Sequence, residues 1–119
     1  MKYKLAFLVF IFILLGINFC VLGKSKKRPQ EPSKPFPYNE EEVTYKNNKA
    51  NVRLAGSFVF PRSKKPFPAV LLISGSGPQD RNEMVAGHKP FLVLSDYLVR
   101  RGIAVLRVDD CGFGKSTGN

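Results

Sequence analysis
This chain has no tryptophan, one histidine, two cysteines and two methionines among its 119 residues. Acidic side chains are also scarce, nine against nineteen lysines and arginines, which leaves a formal charge of +10. Each shortage removes a class of protein. Cys20 falls in a leader-like segment, so Cys111 stands alone and no intramolecular disulfide framework can brace the fold. A single histidine, His88, with scattered carboxylates offers no metal-ligand spacing, and neither a metal nor a cofactor is expected. Cys111 lacks a suitably placed base for thiol catalysis and is expected to pack as a small buried side chain. The positive excess gathers in Lys24, Lys26, Lys27 and Arg28, then Lys34 and the pair Lys64-Lys65. These lie in proline-rich or turn-like stretches with no interleaved aromatics, the pattern of solvated segments rather than of nucleic-acid binding.

What is present begins with a leader. Met1–Lys4 is a short positive stretch, Leu5–Leu15 is unbroken apolar, and Val21-Leu22-Gly23 precedes a plausible cleavage point. That order reads as a signal peptide over residues 1–23, and the protein is expected to be exported, secreted or periplasmic. Removing it deletes Lys2 and Lys4 and lowers the charge from +10 to +8. From Leu5 to Leu22 the only clearly polar side chain is Asn18, so an uncleaved membrane anchor is the alternative. A lipidated Cys20 is disfavoured by Phe19, which stands where a lipoprotein signal needs a small residue.

Residues 24–42 form a linker rich in proline and lysine, closed by Glu40-Glu41-Glu42, and residues 43–119 hold the folded domain. Val43–Tyr45 and Val52–Phe60 read as an antiparallel hairpin about the turn Asn47-Asn48. Ala69–Ser74 has the apolar, β-branched content of a buried strand. Pro90–Arg101 reads as a helix with Pro90 in its first turn, an apolar stripe of Phe91, Leu94 and Leu98, and Gly102 as its stop. Ile103–Val108 is a second apolar strand. The fold class is α/β, a hairpin followed by strand, helix and strand in a mixed sheet.

Function concentrates at the strand ends. Gly75-Ser76-Gly77-Pro78 follows the first apolar strand and Gly112-Phe113-Gly114 follows the second, the edge where open α/β sheets place their sites. Asp109 and Asp110 are strand-end carboxylates suited to turn N–H groups. The stretch Ala69–Gly118 resembles the α/β-hydrolases, in the branch of bacterial esterases and relatives of the dienelactone-hydrolase and prolyl-oligopeptidase type. The resemblance rests on Gly75-Ser76-Gly77-Pro78-Gln79-Asp80-Arg81, on Gly102-Ile103-Ala104-Val105-Leu106-Arg107, and on Asp110-Cys111-Gly112-Phe113-Gly114-Lys115-Ser116. Cys111 departs from the arginine usual at that place. The resemblance implies a serine hydrolase acting on an ester, thioester or peptide bond, with the backbone N–H of Ser76 in the oxyanion hole. Its partners would be a small-molecule ester or peptide substrate, with membrane attachment through the amino-terminal segment as an option and no nucleic acid.

In that family the G-x-S-x-G nucleophile, the acid and the histidine follow later in the chain, and none occurs by residue 119. The chain therefore reads as an amino-terminal piece of an α/β-hydrolase, truncated before the nucleophile elbow. It is expected to be unstable and without esterase turnover alone, with Ile103–Val108 left as an unpaired edge. The rival reading is nucleotide binding through Gly114-Lys115-Ser116, although Asp109 stands where a phosphate-binding loop needs its first glycine. A non-enzymatic exported remnant is the third reading.

Overall fold
The computed structural model describes residues 28–118. The leader, the alternative anchor and Cys20 lie outside those residues.

The hairpin forms as its turn chemistry dictates. Strand β1 (Asn39–Asn47) pairs antiparallel with β2 (Val52–Phe60), from Asn39 opposite Phe60 to Asn47 opposite Val52. The Asn47 Oδ1 accepts the N–H groups of Lys49 and Ala50, each at 3.2 Å. Asn51 closes the turn with φ of 51°, a conformation asparagine tolerates better than most residues. β1 is longer than the expected Val43–Tyr45 and takes in Glu40–Glu42, which composition assigned to the linker. Glutamate is a poor strand former. Tertiary partners override that preference: Glu40 meets Arg107, and Glu42 meets Arg81 and Lys115. The preceding residues are anchored too. Phe36 and Tyr38 stack with ring centroids 5.1 Å apart, and Tyr38, buried in the core, donates its hydroxyl to Asp96.

The sheet has the order β1-β2-β4-β3, with β3 at Ala69–Leu72 and β4 at Ala104–Val108. β2 and β4 run antiparallel, whereas β3 and β4 are parallel and are joined through helix α1 (Pro90–Val99). This strand–helix–strand unit on a mixed sheet is a partial α/β fold. Gly56 permits the β2–β4 approach, since a Cβ there would lie 2.6 Å from the Arg107 carbonyl oxygen.

The expected edge is displaced. β4 is paired on both sides, and β3 is the outer strand. Leu71 is 52% exposed and Ile73 is 76% exposed, although their composition reads as buried. Apolar, β-branched sequence reports what a residue would gain by burial. It does not report whether a neighbouring strand lies within the described residues.

One face of α1 packs on the sheet. The core joins Tyr38, Val59, Val99 and Val105, with Phe36, Leu72 and Leu98 against it. Ser95 is fully buried in the helix face and returns its hydroxyl to the Leu92 carbonyl at 3.0 Å. Leu94, expected in the inward stripe, is 40% exposed. The small Ser95 thus takes the inward position beside the sheet, while Leu94 turns outward.

Candidate functional site
The loop after β3 is held from both ends. Asp110, just past β4, accepts the Ser74 hydroxyl at 2.5 Å and the Gln79 N–H at 2.9 Å. Glu83 reaches back to accept the Gly75 N–H at 3.2 Å, with its own backbone at φ of 51°. A non-glycine residue in that region carries strain that surrounding contacts must offset. Asp80 accepts the N–H groups of Asn82 at 3.2 Å and Met84 at 2.9 Å. Gly77, at φ of 88°, makes a turn that an L side chain would resist. Ser76 sits exposed at the crest, and among the described residues no hydrogen bond engages its N–H. Asp110 and Glu83 therefore fix a turn that presents the Ser76 backbone N–H at the carboxyl end of a parallel strand.

Beneath that loop lies a dense ion cluster. Arg81 donates to Asp109 through its backbone N–H at 2.7 Å, its Nε at 3.0 Å and a terminal nitrogen at 2.7 Å. The other terminal nitrogen reaches Ser57 Oγ at 2.8 Å and Glu42 at 2.9 Å. Asp109 is only 3% exposed and also accepts the Lys115 N–H at 3.0 Å. Burial pushes the Asp109 carboxyl upward, but the Arg81 guanidinium and the Lys115 and Arg81 backbone N–H groups outweigh it and hold it at about 2. The hydrogen bond to Asp109 correspondingly raises Arg81. Lys115, 2.7 Å away, holds Glu42 below the usual carboxylate range.

A pH dependence follows. Asp109 has a folded pKa below its ordinary value of 3.8, so its contribution is present above pH 4 and disappears as pH falls toward 2. The shift corresponds to about 2 kcal/mol. Urea unfolding of the polypeptide that carries this domain should lose about that much stability between pH 5 and pH 2, and Asp109→Asn should abolish most of the difference. An unchanged pH slope in the Asn variant would show that another group titrates.

Arg107 lies beside this cluster, 2% exposed, and burial lowers its pKa. It donates to Asn82 at 2.5 Å and meets Glu40 at 3.5 Å, while its Nε has no partner among the described residues. The cavity here, about 350 Å³, is bordered by four cations (Arg81, Arg107, Lys89 and Lys115) and four carboxylates (Glu40, Glu42, Asp80 and Asp109). Balanced charge around this open pocket braces the loop and gives no net attraction for an ionic ligand.

The turn after β4 does not cradle phosphate. Gly114 has φ of 55°, and a Cβ there would lie 2.6 Å from the Asp109 carboxyl carbon. The Asp109 carboxylate occupies the space a phosphate would need and takes the Lys115 N–H, while the Lys115 ammonium is turned to Glu42. Ser116 is committed to backbone, donating to the Asp109 carbonyl at 2.8 Å and accepting from Ala55 at 2.9 Å. Thr117 likewise bonds Arg53 in β2. These contacts overturn the nucleotide-binding reading.

One further expectation resolves differently. Cys111 is exposed rather than buried, with its Sγ 3.5 Å from the Thr117 carbonyl, because its turn bulges from the sheet end. His88, the single histidine, is held within its loop. Its backbone pairs with Val85, and Arg28 approaches its ring nitrogens at 2.7 and 3.0 Å. The sequence pointed to Ser76 and to the role of Asp109 and Asp110. It gave no signal for Glu83, whose contact depends on a backward fold of the loop.

No family model matches this chain. Over 92 residues it is 36% identical to Esterase EstD of Thermotoga maritima, a match covering 77% of this chain. The chain spans 21% of that relative's length. Among solved structures it is similar to hypothetical protein PA2218 of Pseudomonas aeruginosa, with a TM-score of 0.56 and 22% identity over 76% of this chain and 26% of that one. The structural likeness concerns the fold, and the sequence similarity supports an esterase-like hydrolase family.

Proposed function
We propose that residues 69–118 supply the oxyanion-hole side of a serine hydrolase that cleaves an ester, thioester or peptide bond. The Ser76 N–H is the donor this part contributes. The observation that carries the reading is the Ser76 turn itself, exposed at the carboxyl end of β3 and fixed by Asp110 and Glu83. An oxyanion donor stabilises developing charge best when already oriented, because no reorganisation then accompanies the reaction. The similarity to Esterase EstD over this region supports the same chemistry. No residue described here is assigned as nucleophile, acid or base. Asp109 and Arg81 hold the loop and do not touch substrate.

Sequencing the transcript through and beyond codon 119 tests this reading. The expected result is an open frame encoding G-x-S-x-G, then an acid and a histidine. A stop without that segment, or measurable hydrolysis of a short acyl ester by residues 1–119, would overturn it.

A further inference from the structure
The outer side of β1 is an unused pairing surface. β1 stands at one end of the order β1-β2-β4-β3 and bonds β2 on one side only. Its nine residues run without a bulge from Asn39 to Asn47 and contain no proline. Among the described residues, no other backbone group bonds the N–H and C=O groups on its outer side. Edge strands that stay single are commonly short, bulged or interrupted by proline, because an open ladder is a template for another strand. β1 has none of those three devices. What it carries instead is charge, and the distribution of that charge decides which strand can pair with it.

The two halves of β1 differ in sign. Glu40, Glu41 and Glu42 precede Val43, and Lys46 follows it. Glu42 is occupied, with one oxygen on Arg81 and the other on Lys115. Glu40 has a single ionic contact, 3.5 Å from Arg107. Lys46 meets no carboxylate among the described residues. A second β1 laid antiparallel about Val43 brings its Lys46 opposite Glu40, and symmetry repeats the pair. Asn39 then meets Asn47, Glu41 meets Tyr45, and Glu42 meets Thr44. Each residue faces one from the same side of its strand, so the two sheets continue into each other. We propose that β1 is a contact between two copies of this chain, joining their four-stranded sheets edge to edge about a two-fold axis at Val43.

Charge also selects the register. Opposite charges facing each other across a ladder stabilise it, and like charges destabilise it. Sliding the second copy until Glu42 meets Glu42 sets like charges face to face and carries Lys46 past the end of the strand. Sliding it the other way sets Lys46 against Glu42, whose oxygens are already taken, and leaves Glu40 outside the ladder. A slip by an odd step would turn the face that holds the ion cluster to the opposite side of the joined sheet. The register about Val43 uses the whole strand and unites the two charges that remain available. The inference concerns the strand farthest from β3 in the sheet and stands or falls separately from the chemistry proposed for Ser76.

The test uses the polypeptide that carries this domain, with Cys20, Cys111 and any other cysteine replaced by serine. Single cysteines are introduced as Val43→Cys or Thr44→Cys and oxidised mildly. Directly opposed residues of an antiparallel pair have Cα atoms about 4.5–5.5 Å apart, within disulfide reach. Position 44 is displaced from its own symmetry mate by two residues along the strand, about 7 Å, in addition to the strand spacing, and is out of reach. The expected result is a dimer by sedimentation of the unsubstituted polypeptide and a covalent dimer from Val43→Cys alone. Lys46→Glu should sediment as a monomer, because a second carboxylate then faces Glu40. A monomer before any substitution would overturn the proposal, and that measurement does not depend on a variant folding. So would equal cross-linking at positions 43 and 44, or a dimer that Val43→Cys fails to trap, since the contact would then lie on another surface such as β3.

Discussion

Replacing Arg81 by methionine should cost about 3–5 kcal/mol of stability, the usual consequence of removing one partner of a buried ion pair. The cost arises from what is left behind. Asp109 would keep its buried carboxylate while losing the Nε and terminal-nitrogen hydrogen bonds, at 3.0 and 2.7 Å. Ser57 and Glu42 would lose a donor as well. Methionine retains much of the side-chain volume, so the loss reports charge and hydrogen bonding rather than an empty space. The measurement is the urea midpoint against the unsubstituted chain at pH 7. Adding Asp109→Asn to Arg81→Met should restore part of the loss, because the uncompensated charge is then gone. A single-variant cost below about 1 kcal/mol would mean the cluster is hydrated and of little structural value.

The second large effect concerns the proposed chemistry. In the polypeptide that carries the nucleophile, Ser76→Pro removes the one group assigned a role, the backbone N–H. It should lower kcat about 10²–10³-fold with little change in KM, because the lost interaction forms only as the oxygen becomes negative. Ser76→Ala keeps the N–H and should retain activity close to that of the unsubstituted enzyme. The pair of variants separates backbone from side chain. Equal losses in both would assign the effect to the Ser76 hydroxyl, and no loss in the proline variant would remove this turn from the oxyanion hole. Circular dichroism of the proline variant guards against a folding defect, and the exposed crest position of Ser76 makes a local effect the expectation.

The Asp109–Arg81 pair and the Ser76 turn are linked through consecutive residues. Asp109 anchors Arg81 while Asp110, its neighbour, anchors Ser74 and Gln79. One strand end therefore positions the two halves of the loop, and Gly114 leaves the room that the Asp109 carboxylate needs. Stability of the ion cluster and placement of the Ser76 N–H are thus parts of one arrangement. The Arg81→Met variant should loosen the loop as well as lower the urea midpoint.

Local chemistry determined a good deal from sequence alone. The Asn47 turn, the run of β2, the start of α1 at Pro90 and the glycine turns after β3 and β4 each follow from side-chain geometry or backbone freedom acting over a few residues. The resemblance of Gly75–Arg81 and Gly102–Arg107 then singled out the turn for which the donor role is proposed. Tertiary structure alone decided which strand lies at the edge, that Glu40–Glu42 join β1, that Ser95 rather than Leu94 faces inward, and that Cys111 is exposed. It alone brought Glu83 to Gly75 and filled the Gly114 turn with the Asp109 carboxylate. The physical reason is the range of the forces. Turn preferences and hydrophobic periodicity are properties of neighbouring residues, whereas burial and charge pairing depend on groups brought together from distant positions, as Arg81 is with Glu42 across the sheet.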